Sequence, residues 1–587
     1  MHFRQRVADH LRFLYPDEPV VSLAERVLSS FGLEGPDSPD ANLATDLWSE
    51  HDAVLITYAD TLVDDGVPLR TLSRWVDEYL GDVVSTVHVL PYFPWSSDDG
   101  FSVIDPSAVD PTLGTWEDVS ALAKDVGVMS DLVLNHVSVE NEWFKQFERN
   151  EPPGNGFFIS VDPQTDLSGI TRPRTHPLLR PTETSDGIRH VWATFSHDQV
   201  DLNLAHPEVL LALLDVVRLQ LDHGVKMLRL DAVAYLWKRL GTPCIHLPET
   251  HEVIRLMRTL VDERARRRGE RPALLVTETN VPTDENLSYF GGSDEAHVVY
   301  NFSLPPLLLH ACLTGDTGPL TLWAASMPDP PKDCTYLNFF ASHDGIGVRP
   351  AEGLLDSEQI GALVVAAEAV GGGHRDYQTA DGPRPYELNA SLRDLLALTE
   401  DAVADDRPAD RLLAAHAVVL SLAGIPAIYI HSLLGTQNDH DRVKRLGHLR
   451  AINRAQLPLD DLYRRLAGAG SFEHQAFDGM SHMLRVRRQI RAFSPEAGQQ
   501  VLELPTGLFG VRRFSSETEG SPSEVISIVN LADHELMASA EECGLVGHWG
   551  DVLSSAYVGP VERHGGETMI FQPYARHWFV KTGPSEA

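Results

Sequence analysis

Short, uniformly apolar runs alternate with longer stretches of helical spacing through most of this chain. Ala53–Tyr58, Leu132–Leu134, Val225–Leu230, Ala273–Val276 and Ala427–Ile430 read as strands buried on both faces, which is how a parallel sheet is written. Strand and amphipathic helix repeated in this order predict an α/β fold, a wound parallel sheet. Two interruptions break the rhythm. The first, at 138–195, is rich in Pro, Gly and Thr; the second, at 349–410, contains Val370-Gly-Gly-Gly-His374 and Asp381-Gly-Pro-Arg-Pro-Tyr-Glu-Leu-Asn389. Residues 1–50 form a polar N-terminal extension with helical spacing over Ala24–Phe31, before the Gly35-Pro36 break. Beyond Pro495, patterns such as Gly510–Phe514 and Val525–Asn530 predict a small antiparallel β-domain over 495–587, with a turn at Glu517–Ser523. The barrel parts are then 51–137, 196–348 and 411–494.

The length suits this division, because single cores stop growing near ~250–300 residues and the chain has 587. Lys+Arg 48 against Asp+Glu 84 gives a net charge of −36, which argues against nucleic acid or an anionic membrane as partner. No run approaches the ~18 apolar residues of a membrane span, and Met1–Arg6 is not the start of a cleavable apolar leader. A cytoplasmic location is expected. Cys244, Cys312, Cys334 and Cys543 form no Cys-x-x-Cys pair and read as free thiols. Nucleotide loops are absent from the sequence, and Arg264–Arg268 reads as a solvated helix end. Oligomeric state leaves no mark in the sequence.

Four segments carry the chemistry: Asp131–His136, Arg229–Asp231, Thr277–Thr279 and Ser342–Gly345. Three of them follow the apolar runs, so carboxylates and imidazoles gather where successive strands end. That is the mouth of a (β/α)8 barrel. Breaking an acetal with retention needs one carboxylate to attack the anomeric carbon and another to protonate the leaving oxygen. Asp231 and Glu278 fit these two roles.

Their order and wording resemble the alpha-amylase family of glycoside hydrolases, within its sucrose phosphorylase branch. The resemblance is carried by Leu55-Ile-Thr-Tyr-Ala-Asp60, Val87–Phe93, Gly100-Phe101, Leu304–His310 and His343–Val348, and runs from about Asp52 to about Ser494. Gly241–His251 and Ser97–Asp105 look like the members that act on glucosylglycerate, glucosylglycerol or phosphorylated sucrose. It implies a barrel with B and B′ insertions at 138–195 and 349–410. It also implies Asp231 as nucleophile, kept ionised by Arg229; Glu278 as acid and then base; and Asp344 as stabiliser of the cationic transition state. His136 and His343 would donate to glucosyl hydroxyls, Asp98 and Arg450 close around the far end of the ring, Gln199 bind, and Phe101 and Phe195 pack on the sugar.

For phosphate, the resemblance points to Arg174 and Arg384 with Tyr386 and Glu387, the last offsetting Arg384. No metal or organic cofactor is implied; inorganic phosphate is the co-substrate, and the small-molecule partners are an α-glucoside and glucose 1-phosphate. A hydrolase or transglucosidase on the same scaffold would turn over without phosphate. A non-catalytic binding protein would lack the acidic set present here. For the acceptor, the sequence favours glycerol, hence 2-O-α-glucosylglycerol, over glycerate, fructose and fructose 6-phosphate, because both arginines are assigned to phosphate and the −36 charge suits a salt-adapted cell.

Overall fold

The computed structural model describes residues 3–35, 47–174, 176–379, 382–397, 408–516, 521–554, 556–561 and 568–581. Eight parallel strands close a barrel: β1 (Val54–Thr57), β2 (Thr86–Val89), β3 (Gly127–Val133), β4 (Val225–Asp231), β5 (Leu274–Thr277), β6 (Val298–Tyr300), β7 (Thr335–Phe339) and β8 (Ile425–Tyr429). Each pairs with its neighbours in the chain, and β1 closes on β8 through Val54 opposite Ala427. The strands are almost wholly buried, as their uniformly apolar sequences require. β3 differs from expectation. It starts at Gly127 and takes in Asp131, because a buried charge opposite a buried counter-charge does not end a strand.

The first insertion leaves through His136–Ser138 and returns through Gln199–Asp201, and these two short strands pair antiparallel across its neck. Outside the neck lie the helix Glu142–Arg149 and the hairpin Leu179–Thr184/Gly187–Trp192. The second insertion is a helix, Ser357–Ala369, and a hairpin, Gly373–Thr379/Gly382–Asn389, to which Ile346–Gly347 adds a third strand. Residues 398–407 of this region, 36–46 of the extension and 517–520 of the expected turn lie outside the described residues.

The extension folds as two helices, Phe3–Leu14 and Val20–Ser30, on the outer wall of the barrel. Phe3, Val7, Leu11 and Leu14 form its buried stripe. Arg6 donates to Thr259 Oγ1 (2.8 Å) and His10 pairs with Glu252 (2.7 Å), both on the barrel helix Pro248–Arg268. The expected solvated arginine cluster at the end of that helix is instead largely paired. Arg264 and Arg268 meet Asp222, Arg266 and Arg267 meet Glu263, and Arg267 also donates to the carbonyls of Leu33 and Glu34. A cationic helix end next to incoming carbonyls holds the extension in place.

At the bottom of the barrel, six antiparallel strands from Gly498 to Lys581 form the C-terminal sheet. Two buried arginines brace this region, Arg487 within the chain that precedes the sheet and Arg513 from the sheet to the barrel. Arg487 donates to the carbonyls of Glu50 (2.7 Å), Phe493 (2.8 Å) and Leu420 (3.1 Å). Arg513 donates to those of Ser494 (2.8 Å), Ser421 (3.1 Å), Ala497 (3.1 Å) and Gly498 (3.2 Å). No described helix is long and apolar enough to cross a membrane. Replacing Arg513 by Met is expected to destabilise the fold by about 2–6 kcal/mol, since at least two buried carbonyls lose their donor. The melting temperature should fall while kcat of the folded enzyme stays unchanged, and an unaltered melting temperature would refute the role.

Candidate active site

At the opposite, C-terminal end of the strands, the cavity floor is built from charges on adjacent strands. The β3–β4 register sets Asp131 directly across from Arg229, and Asp231 follows two residues on, on the same face as Arg229. Arg229 Nη1 donates to Asp231 Oδ1 (3.0 Å) and to Asp131 Oδ1, while His88 Nε2 lies 2.8 Å from Asp131 Oδ2. All four side chains are buried. Burial works to raise the Asp131 carboxyl, but Arg229 and His88 outweigh it and hold it below its ordinary value.

Asp231 does not stay as low as a single facing cation would keep it. Burial lifts it well above the usual carboxylate range; Arg229 opposes this, and Glu278, Asp131 and Asp344 add to it. The physical reason is that Arg229 is shared with Asp131. Glu278, just past the end of β5, is also raised, by burial and by Asp344 against the pull of Arg229. Its Oε2 accepts the N–H of Ala232 (3.1 Å), a residue turned to φ 52°, a conformation that L residues seldom hold outside functional turns. Both carboxyls are thus raised together. Arg229 hydrogen-bonds Asp231 directly, whereas the hydrogen bond that Glu278 accepts comes from a neutral N–H, so the ionised form is favoured more directly at Asp231.

Asp344 is the contrasting carboxylate. Burial opposes its ionisation, yet Arg450 and Arg454 hold it far below the ordinary range. Arg450 Nη1 stands 2.7 Å from Asp344 Oδ1 and grips Glu387 with its other edge, at 3.0 and 2.5 Å. The Glu387 carboxylate is therefore matched by Arg450 and not by Arg384 as the sequence suggests. Arg454 donates to the His343 carbonyl (2.8 Å) and to Asp99, fixing the loop that carries Asp344.

The donor wall comes from the neck of the first insertion. Gln199 Nε2 donates to Asp98 Oδ2 (3.2 Å) and lies 3.2 Å from His136 Nε2, which bonds the Phe101 carbonyl (3.0 Å). Buried Lys238 pairs with Asp201 (2.6 Å) behind this wall. Burial keeps His136 and His343 below the usual histidine value, hence neutral. Phe101 stacks on His343 with ring centres 5.0 Å apart, and Phe195 packs on His136 at 5.2 Å. Asp98 and Arg450 both line the cavity, although Asp98 bonds Gln199 and not the guanidinium.

On the acceptor side, the Arg174 guanidinium lies between the rings of Phe195 (5.9 Å) and Tyr386 (6.0 Å). A bulge opposite Arg375 and Asp376 turns the consecutive Tyr386 and Glu387 both toward the cavity. Arg384, expected beside them, is exposed on the hairpin and does not line the cavity, because it precedes the bulge. Of the other residues expected from the sequence, Asp98, Phe101, His136, Arg174, Phe195, Gln199, Asp231, Glu278, His343, Asp344, Tyr386, Glu387 and Arg450 all line it, with Arg229 beneath. Sequence reasoning missed Asn280, which lines the cavity, Lys238 behind its wall, Tyr235 packed on the Phe195 ring and Arg454 at the Asp344 loop. Arg454 finds its Asp99 partner 355 positions away, a distance at which no local spacing gives a signal. Among the described residues, no group of His, Cys, Asp or Glu is arranged to hold a metal ion.

Residues 78–315 match the alpha amylase catalytic domain. A glucosylglycerate phosphorylase from Spirochaeta thermophila is 46% identical over 504 residues, 85% of this chain and 84% of that protein. One from Allomeiothermus silvanus is 43% identical over 582 residues, covering 98% of both chains. The glucosylglycerol phosphorylase of Marinobacter adhaerens is 29% identical over 72% of this chain and 88% of its own. The crystal structure of sucrose 6F-phosphate phosphorylase from Thermoanaerobacter thermosaccharolyticum superposes with a TM-score of 0.70 at 25% identity, covering 82% of this chain and 94% of that one. The chain belongs to the sucrose phosphorylase branch of the alpha-amylase family of glycoside hydrolases, and it is a glycosyltransferase-type phosphorylase.

Proposed function

We propose that this enzyme is a retaining glucosylglycerate phosphorylase, converting 2-O-α-glucosylglycerate and phosphate to α-glucose 1-phosphate and glycerate. The observation that carries this reading is the 43% identity to a glucosylglycerate phosphorylase over 98% of both chains, which takes in the N-terminal extension as well as the barrel. The glucosylglycerol enzyme matches less strongly and over less of the chain. Glycerate therefore replaces the glycerol favoured from sequence. That preference rested on bulk charge, which says nothing of one subsite, and on Arg384, which lies away from the cavity. The free, buried cysteines support a cytoplasmic setting.

Asp231 attacks the anomeric carbon from the face opposite the leaving oxygen, and Glu278 gives its proton to that oxygen, the glycerate O2. The product is a glucosyl ester on Asp231 and free glycerate. Esterification removes one negative charge next to Glu278, which now takes a proton from phosphate as the phosphate oxygen displaces Asp231. Two inversions give net retention. The ionised Asp344 stabilises the cationic ring in both steps, and the neutral His136 and His343 hold its hydroxyls.

Asp231→Asn should lower kcat by several orders of magnitude with the fold intact, because a nucleophile is lost and almost no volume. Near-normal turnover, or β-glucose 1-phosphate as the first product, would refute the assignment. Glu278→Gln should impair phosphorolysis of glucosylglycerate strongly while sparing glucosylation by α-glucosyl fluoride, whose leaving group needs no proton. Because Glu278 is raised, the proton is lost and the rate falls above the ordinary carboxylate range; that alkaline limb should vanish in the Gln variant with the fluoride donor. Equal impairment with both donors would make Glu278 a binding group. In synthesis from α-glucose 1-phosphate, phosphate release should be fastest with glycerate when glycerol, fructose and fructose 6-phosphate are compared; preference for any other acceptor would overturn the substrate reading.

A further inference from the structure

One cation near the cavity has no part in the chemistry above. Arg375 lies in the strand Gly373–Thr379, across from Glu387, at the bulge in the acceptor-side hairpin. Glu387 would be its natural counter-charge, but both Glu387 oxygens are occupied by the fork of Arg450. The Arg375 side chain makes no hydrogen bond or ion pair with a described residue, and it is only partly exposed. The charged groups acting on it are Arg450, Glu387, Arg174 and Asp98, all lining the cavity. Burial and Arg450 push the guanidinium below its ordinary value. The fold thus holds, across from the cavity-lining Glu387, a cation that an incoming anion would stabilise. The neighbouring acceptor-side arginines differ: Arg349 covers the Tyr377 ring at 5.9 Å, and Arg174 is wedged between two rings on the cavity wall.

We propose that Arg375 is the specificity-determining residue that binds the carboxylate of the acceptor, leaving Arg174 to serve phosphate. This rests on the glucosylglycerate reading. The two anions reach the glucosyl ester differently. In phosphate the charged oxygens share one phosphorus with the attacking oxygen; in glycerate the carboxylate is one carbon beyond the carbon that bears it. Arg174 on the wall suits the nearer group, and Arg375, set across from Glu387 and outside the lining residues, suits the farther one. A planar fork with no other partner among the described residues is suited to grip both carboxylate oxygens.

The test compares Arg375→Gln, Arg375→Lys and the parent in two reactions: synthesis from α-glucose 1-phosphate with glycerate or glycerol, and transfer from α-glucosyl fluoride to phosphate. In the Gln variant kcat/KM for glycerate should fall about 10- to 100-fold, mainly through KM, as for a lost charge-assisted hydrogen bond. The glycerate-to-glycerol ratio should fall with it, the phosphate KM should stay within about threefold, and Lys should restore part of the loss. An unchanged glycerate KM in a parent that prefers glycerate overturns the assignment. An equal rise in the phosphate KM overturns the division between Arg375 and Arg174. A parent that does not use glycerate overturns the glucosylglycerate reading itself. If melting temperature shows the Gln variant unfolded, the Lys variant decides: an unchanged glycerate-to-glycerol ratio then refutes the proposal, because a point charge does not replace a fork.

Discussion

A single guanidinium at the centre of the barrel, that of Arg229, bridges two carboxylates on neighbouring strands. Burying one charge in such a place costs several kcal/mol, which only close partners offset. Asp131, itself backed by His88, meets most of that need, so the arrangement is satisfied before substrate arrives. Asp231 is thereby left incompletely neutralised. With a stronger counter-ion its carboxylate would be held fully ionised, and with none it would be protonated. The shared guanidinium gives an intermediate state beside the raised Glu278.

The same economy of shared cations extends outward. Arg450 ties Asp344, in the loop after β7, to Glu387 on the hairpin of the second insertion. The Asp344 loop continues into Ile346–Gly347, the third strand of that hairpin's sheet. The hairpin of the second insertion is therefore joined to the loop that carries Asp344 by backbone pairing and by an ion pair, so the two form one connected body.

Much of this was legible in the sequence where signal is local. Five of the eight barrel strands announce themselves as apolar runs, and three of the four acidic segments follow such runs at short offsets. Legibility failed wherever partners are distant or geometry breaks periodicity. The β3 boundary was misread because Asp131 looks polar until Arg229 is placed opposite. Arg384 and Glu387 were read as neighbours in charge, but a bulge re-aims the strand between them, and Glu387 turns to Arg450 from another element. Arg375 escaped notice for the same reason, since its meaning depends on what Glu387 is already doing. The preference for glycerol leaned on net charge, which is a property of the whole surface and carries no information about a single subsite.

The pair of three-residue strands at the neck of the first insertion has a consequence for how such an enzyme diversifies. His136 and Gln199 are held by that ladder and by the Lys238–Asp201 contact behind it, so their positions are set at the neck itself. Phe195 and Arg174, which also line the cavity, lie beyond the neck and are carried by the insertion. Substitutions in the outer helix and hairpin can thus alter the second pair of groups without displacing the first.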